Sequence, residues 1–292
     1  MNLCLIVNPA AGGGRARRAL PAVQAALTGH GLAHRLTLTE SLEHARALAR
    51  EAAGAGEAAV AFGGDGLIGA VAGETARCHG VLGMLPGGRG NDFARVLGIP
   101  LEPVPACAVL RHGEIRQLDL GEVDGRIFVG IASCGFDSVA NRIANETRLI
   151  RGNLVYAYGA LRALAGWRPA TFAIELQDGT RRSVSGYTVA AANSGAYGGG
   201  MMMAPDASLS DGCLDIVVVG HVPRRRFLAL LPTVFRGAHV HQPNVEVLRS
   251  PSVTIRADRP FTLYADGDPI AELPATVRTL PAAVRTIVPS AR

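Results

Sequence analysis

Three stretches of the chain set an aspartate inside a glycine turn: Gly63-Gly64-Asp65-Gly66, Gly88-Arg89-Gly90-Asn91-Asp92 and Asp266-Gly267-Asp268. Glycine lets backbone approach a ligand closely, and a helix N-terminus offers free N–H groups to an anion. The first two turns each lie between an apolar, strand-like run and a helix-like one, a place suited to a phosphate. Carboxylates repel a phosphate directly. An anion site built with acids therefore implies a bridging divalent cation, a proton acceptor, or both. The pattern reads as phosphoryl transfer with Mg²⁺.

Composition removes several other chemistries. All 29 basic residues are arginine, so a Walker-A loop, Schiff-base catalysis and pyridoxal chemistry are excluded for want of lysine. The five cysteines (Cys4, Cys78, Cys107, Cys134, Cys213) are scattered without a C-x-x-C pair, as expected of reduced thiols in a cytosol. The histidines show no zinc spacing, and His239 and His241 read as alternating strand positions. A formal charge of +5 and a pI near 9.3 fit an anionic partner. The arginines are spread along the chain with few aromatics between them, which favours a nucleotide or an anionic membrane surface over nucleic acid. The N-terminal segment lacks the features of a signal peptide, and no apolar run approaches the roughly 20 residues that span a bilayer. The expectation is a soluble, cytoplasmic protein.

These residues need elements to hold them. Strand-like runs at Leu3–Val7, Leu36–Thr39, Ala58–Phe62 and Val81–Leu85 alternate with helical stretches that reach about Leu27, Arg50 and Ala76 and restart at Asp92. Ser41 is placed to cap the second helix. Such alternation predicts a parallel sheet covered on both faces, with ligands at the carboxyl ends of its strands, where the glycine turns lie. After Asp119 the texture changes. A hairpin is expected around Asp124-Gly125, a mostly helical stretch over Phe136–Leu164, and then strands separated by Asp178-Gly179, Asp211-Gly212 and Asp266-Gly267. A basic amphipathic helix near Arg224–Arg236 interrupts them. The domains divide near residue 120, with residues 1–120 in the first and 121–274 in the second.

Each motif has a plainer reading. Gly64-x-Gly66-x-x-Gly69 matches a dinucleotide loop but lacks the acid about 20 residues on that holds a ribose. Asn91 or Asp92 could merely cap the next helix. The segment from Asn193 to Asp215, with Gly198 to Gly200 and Met201 to Met203, is too long for a hairpin loop, and such residues are costly unless they line something.

As a set, these segments resemble the soluble bacterial lipid kinases of the diacylglycerol kinase family, related to sphingosine kinases and NAD kinases. The matching positions are Asn8-Pro9…Gly12, Gly63 to Gly66, Pro86 to Arg95, Gly198 to Gly200 with Ala204-Pro205, Asp211-Gly212, and Asp266-Gly267-Asp268. The resemblance implies an α/β nucleotide-binding domain, completed by a C-terminal segment of about 275–292 that returns to it, and a β-sandwich that binds lipid. It implies ATP bound by Asn8, Pro9, Ala10, Ala11, Gly12, Thr39, Gly64, Asp65 and Gly66. It further implies Mg²⁺ held through water near Asp65, Asp92 and Asp119, and a structural Mg²⁺ at Asp211 with the backbone carbonyls of Ser208 and Cys213. Asp268 matches the proton acceptor, with Asp266 beside it. The implied partners are ATP, a lipid hydroxyl and, peripherally, an anionic membrane, with a homodimer left open.

The chain departs from the family at Leu67, where threonine is usual, at Gly69-Ala70 for an Asn-Glu pair, at Arg89 for threonine and at Asp268 for glutamate. Arg89 can compensate by gripping phosphate bidentately. The rival readings are an NAD kinase-like enzyme and a catalytically weak lipid- or nucleotide-binding protein.

Overall fold

The apolar runs of the first half become strands with helices between them. In the computed structural model, which describes residues 1–147 and 154–290, β1 (Leu3–Val7), α1 (Ala11–Gly29), β2 (His34–Leu38), α2 (Leu42–Gly54), β3 (Ala58–Gly63), α3 (Asp65–Arg77), β4 (Val81–Pro86), α4 (Asp92–Val96) and α5 (Pro103–His112) follow in order. Strands β2, β1, β3 and β4 are adjacent and parallel. Every residue of β1 and β3 is buried. Since successive side chains point to opposite faces, both faces are covered, as a parallel sheet requires. Helix α1 packs on α5 and α2 on α3. Ser41 caps α2 as expected, its hydroxyl accepting the His44 N–H at 3.1 Å.

The second half is mostly antiparallel. Strands β5 (Glu114–Val123) and β6 (Arg126–Phe128) form the expected hairpin. Its two turn residues, Asp124 and Gly125, both have positive φ (49° and 76°), as a two-residue turn of matching twist demands. Then come β7 (Ile131–Gly135), α6 (Phe136–Glu146), α7 (Leu154–Gly166), β8 (Ala170–Leu176), β9 (Arg181–Ala192), β10 (Leu214–Gly220) and α8 (Arg224–Leu230). The helical stretch expected over Phe136–Leu164 is thus two helices, and residues 148–153 within it lie outside the described residues. The chain continues with β11 (Val245–Ser250), β12 (Ser252–Ala257), β13 (Thr262–Ala265), β14 (Asp268–Glu272) and β15 (Ala275–Val288).

Two expectations fail here. The basic helix ends at Leu230 and gives way to tighter 3₁₀ turns over Leu231–Arg236, where Pro232 has no N–H to continue an α-helix. His239 and His241 lie in another 3₁₀ turn, not a strand; His239 is buried with Nε2 3.1 Å from the Met203 carbonyl.

The last strand spans both halves. β15 pairs antiparallel with β12 at one end and parallel with β4 at the other. Each half has its own core. The first is mostly aliphatic, around Leu5, Ile6 and Leu82, with Phe62 among them. The second gathers Phe136, Trp167, Phe172, Tyr187 and Phe227, with the Tyr187 and Phe227 rings stacked 3.8 Å apart. Aromatic pairs contribute about 0.5–1.5 kcal/mol each beyond their burial.

Candidate active site

Three connections at the carboxyl ends of β1, β3 and β4 touch one another, and glycine is what lets them. A β-carbon on Gly12 would lie 2.5 Å from the Gly87 carbonyl, and one on Gly88 would lie 2.4 Å from Gly64 Cα. Neither distance is tolerable between real atoms. Gly12, Gly13 and Gly14 also hold φ values of 59°, 68° and 84°, which postpones regular helix until after them. Asn8 closes this first turn by accepting the Ala10 N–H at 3.0 Å. Thr39 follows β2, buried, with its N–H donated to the Val7 carbonyl at 2.7 Å. Pro9, Ala10 and Ala11 complete the turn above β1.

The acids gather around this junction. Asp65 opens α3, and its Oδ1 accepts the Phe93 N–H at 3.3 Å. Burial raises its pKa, with the charge of Asp92 adding to the effect. A β-carbon on Gly90 would lie 3.0 Å from Asp65 Oδ2 and 3.1 Å from Asp92 Oδ2, so both oxygens converge over that glycine. Asp92 Oδ2 accepts the Gly199 N–H at 2.7 Å. Its Oδ1 is buried without a hydrogen-bond partner, the Arg95 guanidinium standing 3.7 Å away.

The third turn meets them from the other domain. Asp266 and Gly267 make the two-residue turn between β13 and β14, with φ of 51° and 95°. The Asp266 carboxylate accepts the N–H groups of Val129 at 2.8 Å and Gly130 at 2.9 Å. Burial pushes its pKa up to about 7, and the Asp65 charge contributes. Asp268 begins β14, exposed, with Oδ2 3.9 Å from where a β-carbon of Gly66 would lie. Both acids line a cavity of about 540 Å³ with Gly66, Gly69, Ala70, Arg46 and Arg126. Gly69 and Ala70, where a bulkier pair is usual, thus leave its α3 wall bare.

The donor set at Asp65 and Asp92 fits a Mg²⁺. Two carboxylate oxygens converge, one buried oxygen lacks a hydrogen bond, and this hard cation completes its shell with water and substrate phosphates. The set at Ser208, Asp211 and Cys213 is arranged differently. Asp211 accepts the Cys213 N–H at 3.0 Å and is paired with the Arg249 guanidinium, which also lies 3.3 Å from Asp215. A cation already stands there. Asp119 is likewise committed, accepting the N–H groups of Gly212 and Ala282 at 2.7 Å each; it staples β5 to the loop before β10 and to β15.

Other sequence readings resolve as follows. Asn91 does not cap α4; its side chain closes back on Gly88, accepting that N–H at 2.9 Å from a left-handed backbone. Leu67 is buried and folds back over Gly63. Arg89 is exposed at the apex of its turn. The methionines do not line the cleft as a group: Met203 is buried against Ile131, Ala190 and Val217, and Met201 folds over Gly198. The cradle of Val129 and Gly130 and the Gly199 donor escaped sequence reasoning, although the glycine run at 198–200 marked the right loop.

A parallel α/β domain and an antiparallel β domain thus meet at acid-bearing glycine turns. Residues 2–123 match the diacylglycerol kinase catalytic domain, and residues 130–288 match the YegS C-terminal NAD kinase beta sandwich-like domain. A diacylglycerol kinase from Mycobacterium tuberculosis is 34% identical, over 97% of this chain and 94% of the relative. One from Bacillus subtilis is 29% identical, over 79% and 77%. The crystal structure of a diacylglycerol kinase from Bacillus anthracis shares the fold with a TM-score of 0.77, at 21% identity, over 98% of this chain and 96% of that one. The chain belongs to the diacylglycerol kinase family of lipid kinases. No helix among the described residues is long and apolar enough to cross a membrane.

Proposed function

We propose that the chain transfers the γ-phosphoryl group of ATP to the hydroxyl of a diacylglycerol-like lipid presented by an anionic membrane on the cytoplasmic side. One observation carries this reading: Asp65, Asp92, Asp266 and Asp268 come together where three glycine turns touch. Residues 1–120, completed by 275–292, take the nucleotide, and residues 121–274 take the lipid. The turns at Asn8–Gly12 and Gly64–Gly66, with Thr39, receive ATP, and Arg89 grips a phosphate from its exposed apex. Asp65 and Asp92 would hold the Mg²⁺, which when bound spreads the charge of the transferring phosphoryl group. Asp268 accepts the proton of the attacking hydroxyl, because its exposed carboxylate faces the N-terminal end of α3. Asp266, fixed by Val129 and Gly130, keeps the turn rigid and holds Asp268 in place.

The test is turnover of ATP by the purified protein against diacylglycerol, other hydroxyl-bearing lipids and NAD. Phosphorylated lipid is expected. Transfer to NAD alone would replace this reading with an NAD kinase. ATP binding without transfer to any acceptor would leave a nucleotide-binding protein.

A further inference from the structure

The loop that supplies Gly199 to Asp92 has little stiffness of its own. Gly198, Gly199 and Gly200 take φ values of 61°, 85° and 108° in succession, and each glycine gives up more conformational freedom on ordering than any other residue. Contacts from its flanks hold it. Tyr197 and Met201 exchange backbone hydrogen bonds at 2.9 Å. The Tyr197 hydroxyl then donates to Asp137 Oδ2 at 3.0 Å.

Asp137 lies in the first turn of α6, and Asn141, one turn later on the same face, donates to the Gly267 carbonyl at 3.4 Å. That carbonyl belongs to the turn between Asp266 and Asp268. One face of α6 therefore touches both the glycine loop behind Asp92 and the turn that carries Asp268. Its other face, at Val139 and Ile143, lines a separate cavity of about 450 Å³ with Ala163 and Trp167 of the α7 segment.

We infer that Asp137 and Tyr197 are positioning residues for phosphoryl transfer, tying the glycine loop to α6 so that Gly199 fixes the Asp92 carboxylate beside Asp65. The inference rests on the kinase reading above. Neither side chain touches the reacting atoms; they act through Gly199 and Asp92. Burial pushes the Asp137 carboxyl up to about 6, so around neutral pH it is mainly the ionised acceptor of the tyrosine hydroxyl.

The experiment compares Tyr197→Phe, Asp137→Ala and Asp137→Asn for kcat, for KM towards ATP and lipid, for directly measured ATP affinity, and for melting temperature. Tyr197→Phe keeps the ring and loses the bond. It should lower kcat roughly ten- to a hundred-fold, the scale of a misplacement of about 1 Å, and weaken ATP while leaving the lipid KM unchanged. Asp137→Ala should match it, and Tyr197→Phe combined with Asp137→Ala should be no worse than either alone. Asp137→Asn, whose amide oxygen still accepts the hydroxyl, should recover most of the activity.

Wild-type kcat and ATP affinity in Tyr197→Phe would overturn the inference, as would Asp137→Asn failing as badly as Asp137→Ala. If Tyr197→Phe does not fold, the two Asp137 variants decide by the same rescue. A wild type without turnover on any acceptor would remove the kinase reading alone. In that case ATP affinity, lost in Tyr197→Phe and kept in Asp137→Asn, would still support the positioning role.

Discussion

The two aspartates of the third turn are separated by one glycine yet occupy different environments, and each has its own test. Asp268 is exposed and faces the end of α3. Removing a general base costs about 10²–10⁴-fold, so Asp268→Asn should lower lipid phosphorylation by that order with ATP affinity nearly intact. Asp268→Glu should keep part of the activity if the turn adjusts to one more methylene. Equal turnover by wild type and Asp268→Asn would move the base elsewhere, with Asp65 the first suspect. Asp266 makes a different prediction, about pH. Its carboxyl is raised from 3.8 to about 7 by burial, so the folded protein keeps a proton that the unfolded chain has already released. The stability this group supplies is present below about pH 4 and is lost as pH rises through about 7. Asp266→Asn cannot ionise, and its amide can accept only one of the two N–H groups at Val129 and Gly130. The variant should be the less stable protein at pH 4, with the difference shifting in its favour by pH 8. Parallel stability curves in urea across that range would show that the Asp266 carboxyl titrates normally.

At the level of elements, the glycine turns are an assembly in which each backbone needs the others bare. Gly88→Ala places a methyl against Gly64 Cα, where a β-carbon has 2.4 Å. The two turns must part, and on the proposed reading that both cradle phosphates, losing one hydrogen bond to a charged group, about 1.5–3 kcal/mol, should weaken ATP about 10–150-fold with the cores unchanged. Gly13→Ala, at a position with open space around it, meets only the cost of its positive φ and should affect ATP less. Nucleotide titration of both variants checks the ranking. Local contrast is also what made these turns legible in sequence. A strand of buried residues, a glycine pair and a helix start stand next to one another, so β1, β3, β4 and their turns could be placed within a residue or two. The Asp124-Gly125 hairpin was readable for the same reason. Contacts between residues far apart in the chain were not. Asp92 and Gly199 are 107 residues apart, and Asp266 and Val129 are 137 apart. Nothing in the spacing of glycines says which N–H will meet which carboxylate. Nor does spacing announce the cation beside Asp211: Arg249 arrives from the neighbouring strand, opposite Asp215 in the β10–β11 register. Length misled at α8, where an arginine-rich stretch promised a longer helix than Pro232 permits.

For the whole molecule, the arginines pose the question of where the protein meets its substrate. Of the three at the start of α8, Arg224 is already engaged, donating to the Trp167 carbonyl at 2.6 Å. Arg225 and Arg226 are exposed. The same bond sets the start of α8 beside the end of α7, and both helices leave apolar side chains uncovered: Leu228 on α8 is 43% exposed, and Leu161 on α7 is 56% exposed. Basic and apolar groups side by side suit the surface of an anionic bilayer, where a nearby arginine contributes about 1 kcal/mol. Binding to vesicles containing anionic lipid is therefore expected to be reversible. It should weaken as salt rises, because exposed charges are screened over about 8 Å at physiological ionic strength. Arg225→Ala combined with Arg226→Ala should lose about 2 kcal/mol, or roughly 30-fold in affinity, while turnover on a detergent-solubilised lipid stays the same. The competing account is a solvated helix face with no partner. It predicts no sedimentation with vesicles even at low salt, or sedimentation that the double variant leaves unchanged. Either result would place the membrane contact of this kinase away from α8, or remove it.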